Sequence, residues 1–156
     1  MAEPKRYRRH SRVRETPASG YAPGQKPDAL TGVLLDSDVI IEILRGNVEV
    51  VTAVAELERR GVPTYCTAIS WAEIYAGIRR GEEPLTDEFF NARGEVVLDA
   101  RTGRQAGAYL ARFRRSHGLE IADALVAAAA TTAGLRFWTL NRRDYPMRDV
   151  RFYERS

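Results

Sequence analysis

With one cysteine, Cys66, and two histidines, His10 and His117, in 156 residues, the chain cannot form an internal disulfide or assemble a Cys/His zinc cluster. Cys66 reads as a small buried hydrophobe. Lysine is confined to Lys5 and Lys26, so the basic charge is almost entirely arginine, a balance that suits bidentate phosphate contacts and is equally a mark of a GC-rich genome. No apolar run reaches the roughly 18 residues of a membrane span. The basic start, with Lys5, Arg6, Arg8, Arg9, Arg12 and Arg14, has no apolar stretch behind it before Leu30, so no secretory signal is supported and the protein is expected in the cytoplasm. A G-x-S-x-G elbow, a P-loop and a G-x-G-x-x-G turn are also missing, which leaves serine hydrolysis, Walker-type nucleotide binding and Rossmann dinucleotide binding without support.

A hydrophobic fraction of 44% over this length is enough for one sizeable core. Residues 1–31 carry Pro4, Pro17, Pro23, Pro27, Gly20 and Gly24 among charges and show no apolar periodicity. They are expected to be a disordered basic tail, either a segment upstream of the true start or a genuine arm. The folded domain is placed at residues 32–156. The net charge of +3 is unevenly spread: residues 1–31 hold seven Lys/Arg against three Asp/Glu, and the remainder holds 17 against 18.

From Val33 onward strands alternate with helical segments. Strands are expected at Val33–Leu35, Thr64–Thr67, Val96–Leu98, Arg136–Leu140 and, briefly, Arg151–Tyr153. Helices are expected at Val39–Arg45, Val48–Arg60, Trp71–Arg80, Asp87–Ala92, Thr102 to about Ser116, and Ala124–Ala133, with Gly46, Gly61 and Gly81 as punctuation. This order predicts an α/β fold in three layers, a central parallel sheet of four or five strands with helices on both faces.

Four acids, Asp36, Glu73, Asp123 and Asp144, are each expected where a strand hands over to a helix, and the carboxyl ends of parallel strands are where such sheets build their sites. Asp36 follows the strand Val33–Leu35 and has no evident local use, whereas Asp38 or Ser37 serves equally well as a helix cap. Ser70-Trp71-Ala72-Glu73 fits a capping box. Asp123 fits an N-terminal cap of the alanine-rich helix, whose dipole favours its ionised form. Asn141 and Asp144 fit a self-braced turn. These local uses explain each acid singly; the recurrence of four along one sheet edge points jointly to a hard divalent cation.

The segments Leu35-Asp36-Ser37-Asp38-Val39-Ile40, Thr67-Ala68-Ile69-Ser70-Trp71-Ala72-Glu73-Ile74-Tyr75-Ala76-Gly77-Ile78, Ile121-Ala122-Asp123-Ala124-Leu125-Val126-Ala127-Ala128 and Thr139-Leu140-Asn141-Arg142-Arg143-Asp144-Tyr145-Pro146 together resemble the PIN-domain ribonucleases, in particular VapC-type toxins of toxin–antitoxin pairs. The resemblance runs from Val33 to Tyr153. It implies a PIN-like fold and a Mg²⁺- or Mn²⁺-dependent endoribonuclease with Asp36, Glu73, Asp123 and Asp144 as catalytic acids. Asp36 and Asp123 become direct metal ligands, with Asn141, Thr139 and Ser37 in support. Where some members carry a fourth aspartate this chain has Asn141, with Asp144 three residues on. The substrate implied is RNA, with Arg79, Arg80, Arg142 and Arg143 the arginines nearest to hold it. Trp71 and Tyr75 are candidates for base stacking or for core packing. The family also implies a homodimer silenced by a VapB-type antitoxin, which lies in an apolar groove and often sends an arginine into the acidic pocket; Val39–Leu44 is the helix such a partner would share with the core.

Two rivals are set against this reading. A haloacid-dehalogenase-type phosphatase also opens on Asp-x-Asp after a strand but requires a later lysine, and both lysines precede Asp36. A non-catalytic PIN-like module that binds RNA or protein without competent metal binding is the other.

Overall fold

A computed structural model describes residues 32–155, so the expected tail at 1–31 lies outside the described residues. Four parallel strands form one sheet in the order β3-β2-β1-β4: β1 is Val33–Leu35, β2 Thr64–Thr67, β3 Gly94–Val96 and β4 Arg136–Trp138. Strand β1 is central and buried along its whole length, as expected of an apolar run covered on both faces. Its side chains divide by the period of two. Leu34 joins a core with α5 (Ala100–His117), α6 (Ile121–Ala133), Phe137 and Tyr145, while Val33 and Leu35 join a second core with α1 (Ser37–Leu44), α2 (Val48–Arg59), α3 (Ala68–Ala76) and α4 (Glu83–Asn91).

The alanines of α6 explain how the first layer closes. Ala127, Ala128, Ala129 and Ala130 are buried, and side chains this small let α6 sit close against α5 and the sheet. Helix α5 is capped by Asp99, whose carboxylate accepts from Thr102 N, and ends at Gly118 in the left-handed conformation. Cys66 is buried, and desolvation pushes its thiol up to about 12, so it packs as a hydrophobe.

Several boundaries differ from the pattern in the sequence, each for a local reason. Helix α3 begins three residues before Trp71 because Thr67 is its cap, accepting from Ser70 N at 3.4 Å. The capping box therefore does not form, and Glu73 is left free of any capping duty. Helix α4 begins at Glu83, with Pro84 in the first turn, where a missing N–H costs nothing. Strand β3 starts at Gly94, two residues early, since Gly94 pairs with Tyr65 and a Cβ there would lie 2.5 Å from the Tyr65 ring. The last expected strand is a single parallel bridge, Phe137 to Phe152.

Candidate functional site

Because all four strands run parallel, the residues that follow β1, β2 and β4 leave the sheet at one edge. Asp36 is the first residue beyond β1 and is 9% exposed. It does have a local use: it caps α1, with Oδ1 accepting from Ser37 N at 2.9 Å. Its other oxygen, Oδ2, accepts from the Tyr145 hydroxyl at 2.8 Å. Asp38 is not a cap; its Oδ2 crosses to β4, accepting from Leu140 N at 3.0 Å and Thr139 Oγ at 3.3 Å. The Thr139 hydroxyl also accepts from Asn141 N, which folds the segment after β4 over the end of β1.

The expected strand-to-helix handover holds for Asp36 but not for all four acids. Glu73 stands in the second turn of α3, where Ser37 Oγ donates to its Oε2 across the gap from α1. Asp123 follows no strand: it is in the first turn of α6, after the α5–α6 connection, and reaches the edge because α6 packs against β4. Nor is Asp123 the cap, which is Glu120. Its Oδ1 lies 3.4 Å from the same Tyr145 hydroxyl. Asp144 is exposed in a single 3-10 turn, Arg142–Asp144, and accepts from Asn141 Nδ2, the self-braced turn read from the sequence.

The electrostatics of this edge are unbalanced. Burial, reinforced by the Asp38 charge, pushes the Asp36 carboxyl up to about 6 despite donors from Tyr145 and Ser37. Burial also raises Asp38 and Asp123, the latter with help from Asp144, Glu73 and Glu120 and against the Tyr145 hydroxyl, which favours its ionised form. Burial and the charges of Asp36 and Asp123 hold the Tyr145 phenol far above its ordinary value, so it stays a donor. Asp38 Oδ1 is buried without a partner. Among the described residues no salt bridge reaches Asp36, Asp38, Glu73, Asp123 or Asp144. Buried anions without a cation are costly, and this donor set of hard oxygens is chemically matched to Mg²⁺ or Mn²⁺. Among the described residues no three acids close on one point as a finished cage. Mg²⁺ does not need one, since it keeps most of its waters and is held by one or two carboxylates.

Of the expected RNA-facing arginines, Arg79 lines a groove of about 420 Å³ between α1, α3 and α4 together with Ile41, Leu44, Glu73 and Leu85. Arg80 is exposed beside it. Arg143 lines a second cavity of about 420 Å³ with Thr139, Asn141 and Arg155. Arg142 lines that cavity too, but its guanidinium is engaged by Tyr153 O at 2.7 Å and Glu154 at 3.4 Å. Trp71 stacks on Phe90 with ring centroids 4.2 Å apart as part of the core, whereas the Tyr75 hydroxyl donates to Asp87 at the surface, so both aromatics tie α3 to α4. Glu42 is taken up locally by Arg45 and Asn47.

Two participants carry no signal of their role in the sequence. Tyr145 was visible only as the last aromatic of its segment, and its hydroxyl partners lie 109 and 22 residues away. Asp38 read as a cap because nothing local announces its reach to Thr139 and Leu140.

Comparison with known proteins follows the same lines. The family described as PIN domain matches residues 33–152. Ribonuclease VapC19 of Mycobacterium tuberculosis is 30% identical over 115 residues, covering 73% of this chain and 92% of that protein. Ribonuclease VapC10 of the same organism is 33% identical over 116 residues, covering 74% and 86%. Among solved structures, DNA-bound VapBC from Salmonella typhimurium superposes with a TM-score of 0.68 at 17% identity, over 80% of this chain and 98% of that one. FitAcB from Neisseria gonorrhoeae superposes with a TM-score of 0.59 at 26% identity, over 78% and 96%.

Proposed function

The chain belongs to the PIN-domain family, within it to the VapC-type ribonucleases, and from that premise we propose that it is a divalent-metal-dependent endoribonuclease acting as the toxin of a VapB-type antitoxin. The observation that carries the reading is the convergence of Asp36 and Asp123, from the end of β1 and from α6, on the Tyr145 hydroxyl, with no salt bridge to either acid among the described residues.

In this reading Asp36 and Asp123 hold a Mg²⁺ or Mn²⁺ ion. When bound, such an ion relieves charge on the non-bridging phosphate oxygens and acidifies an attacking water. The chain's own residues do the rest. Ser37 fixes Glu73 at the rim, where its exposed carboxylate can accept a proton from water. Asp144, braced by Asn141, would hold a water of the ion. Thr139, already bonded to Asp38 and to Asn141 N, keeps the segment after β4 seated. Arg79, Arg80 and Arg143 supply positive charge along the rims for the RNA backbone.

The antitoxin seat is the groove between α1, α3 and α4. Exposed Leu44 and Leu85, with Ile41, Ile74 and Ile78, give it the apolar lining that an amphipathic segment needs, and Glu73 and Glu82 at its wall suit an incoming arginine. The protein acts as a homodimer, which light scattering on the full chain checks.

The deciding experiment incubates the full chain with single-stranded RNA, with and without Mg²⁺ or Mn²⁺, and in parallel with a generic phosphomonoester. Metal-dependent RNA cleavage that EDTA stops and Asp36→Asn removes is the expected result. Metal-independent cleavage, or full activity in Asp36→Asn, would overturn the assignment, and turnover of the phosphomonoester alone would restore the phosphatase rival.

A further inference from the structure

Tyr145 occupies a position that packing alone does not require. Its ring is buried, edge-on to Phe137 with centroids 4.8 Å apart at 81°, and a phenylalanine would make that contact equally well. The hydroxyl is what differs. It points away from this core into the acidic edge, and its hydrogen-bonded neighbours are Asp36 Oδ2 at 2.8 Å and Asp123 Oδ1 at 3.4 Å. A phenol has one proton to give, and the distances assign it to Asp36. With Ser37 N on Oδ1, both oxygens of Asp36 are then held by donors, so rotation of the carboxylate about its Cβ–Cγ bond is blocked from both ends. At 3.4 Å Asp123 Oδ1 is the alternative acceptor of that same proton, and no other hydrogen bond to its side chain is found among the described residues, so the Tyr145 hydroxyl is what links the two carboxylates.

We infer that Tyr145 is a positioning residue whose hydroxyl, rather than its ring, sets the Asp36 and Asp123 carboxylates in mutual register for a divalent cation. The inference rests on the metal-site reading proposed above and adds to it a residue that itself contacts neither ion nor RNA. Two carboxylates that face one point repel each other, and without a donor between them they relax apart. Outer-shell hydrogen bonds of this kind are worth about 10- to 100-fold in metal affinity. The arrangement also makes the segment after β4 part of the site: Asp38 anchors its start through Thr139 and Leu140, and Tyr145 anchors its end.

The test is equilibrium binding of Mn²⁺ alone to the full chain, read by electron paramagnetic resonance of the free ion, for wild type, Tyr145→Phe and Tyr109→Phe. Tyr109 is a second buried tyrosine that donates to an aspartate, Asp149, remote from the acidic edge, and it controls for loss of a hydroxyl as such. The expected result is a Kd raised at least about tenfold in Tyr145→Phe and unchanged in Tyr109→Phe. Under saturating RNA, kcat of Tyr145→Phe falls while KM for RNA stays within about twofold, since a positioning role acts on the ion and not on RNA binding. Wild-type-like Mn²⁺ affinity in a Tyr145→Phe protein that unfolds at the wild-type temperature overturns this inference alone, as does tighter binding, which would make the hydroxyl a competitor of the ion. Wild type that binds no Mn²⁺ overturns the metal reading and this inference with it. Should Tyr145→Phe fail to fold, wild type labelled at the tyrosine Cζ carbons is titrated with Mg²⁺. A Tyr145 resonance that moves with the ion-binding midpoint supports the role, and one that stays still through saturation refutes it.

Discussion

Among the described residues Tyr109 and Tyr145 each donate to an aspartate at 2.8 Å, and the two pairs do opposite things. Tyr109 on α5 donates to Asp149, whose carboxylate is exposed, and has the Thr131 hydroxyl 3.0 Å away. Water completes the solvation of Asp149, so the pair simply ties α5 to the segment after β4. Tyr145 donates to Asp36, which is buried, has Asp38 beside it and shares the tyrosine with Asp123. There one hydrogen bond offsets only part of the cost of the buried charge, and the carboxyl rises to about 6. The bond is the same; burial and neighbouring charge decide whether it stabilises the fold or holds a reactive group in place.

The sharpest way to break this contrast is to remove the buried charge. Asp36→Asn, and likewise Asp123→Asn, is expected to lower RNA cleavage by more than the roughly hundredfold that loss of an outer-shell partner costs, measured as kcat/KM at saturating metal. Asp149→Asn is expected to leave cleavage unchanged. Stability runs the other way: with its pKa raised from 3.8 to about 6, ionised Asp36 costs the metal-free fold about 3 kcal/mol at neutral pH. Metal-free Asp36→Asn should therefore resist urea better than wild type at pH 7, and an equal or lower urea midpoint would contradict the buried-charge account.

The pH dependence sharpens the same point. Since the folded protein holds the Asp36 proton more tightly than the unfolded chain, this group's contribution to stability is most favourable below about pH 4 and is lost as pH rises through about 6. Urea midpoints of wild type relative to Asp36→Asn, followed between pH 4 and 7 without metal, are expected to decline over that window, and saturating Mg²⁺ should reverse the decline. At subsaturating metal, cleavage should begin to fall as pH drops toward about 6, where protons compete with the ion for the carboxylate, and saturating metal should move that fall to lower pH.

A smaller shift is expected of Asp38→Asn. Removing the Asp38 charge takes away one cause of the raised Asp36 carboxyl, so the acidic limb of the cleavage profile should move to lower pH, by under about one unit because burial is the larger cause. A limb that moves upward or stays fixed would show that Asp38 acts only by anchoring Thr139 and Leu140. Smallest of all is Tyr109→Phe, expected to cost about 1 kcal/mol in the urea midpoint and nothing in cleavage, as befits a hydrogen bond with water at hand to replace it.

Much of the acidic edge is legible from local sequence. The apolar run Val33–Leu35 followed by Asp36 places that acid at a strand end, and the structure puts β1 at the centre of the sheet with Asp36 beside it. Glu73 is foreseeable as an acid near the edge, but its position in the second turn of α3 depends on Thr67 rather than Ser70 being the cap, a choice between two hydroxyl residues three apart that composition does not resolve. Asp123 looked like one more strand-to-helix acid, whereas it arrives by the packing of α6 on β4.

The sequence by itself determined the α/β order of elements and the set of acids, because each follows from periodicity and from residues within a turn or two of one another. Tertiary structure alone decided that the Tyr145 hydroxyl meets Asp36 and Asp123, that Asp38 reaches Thr139 and Leu140, and that burial pushes the Asp36 carboxyl up to about 6. Hydrogen bonds between residues more than a hundred positions apart, and the desolvation that shifts a carboxyl, depend on what surrounds a group in space, and no local pattern carries that information.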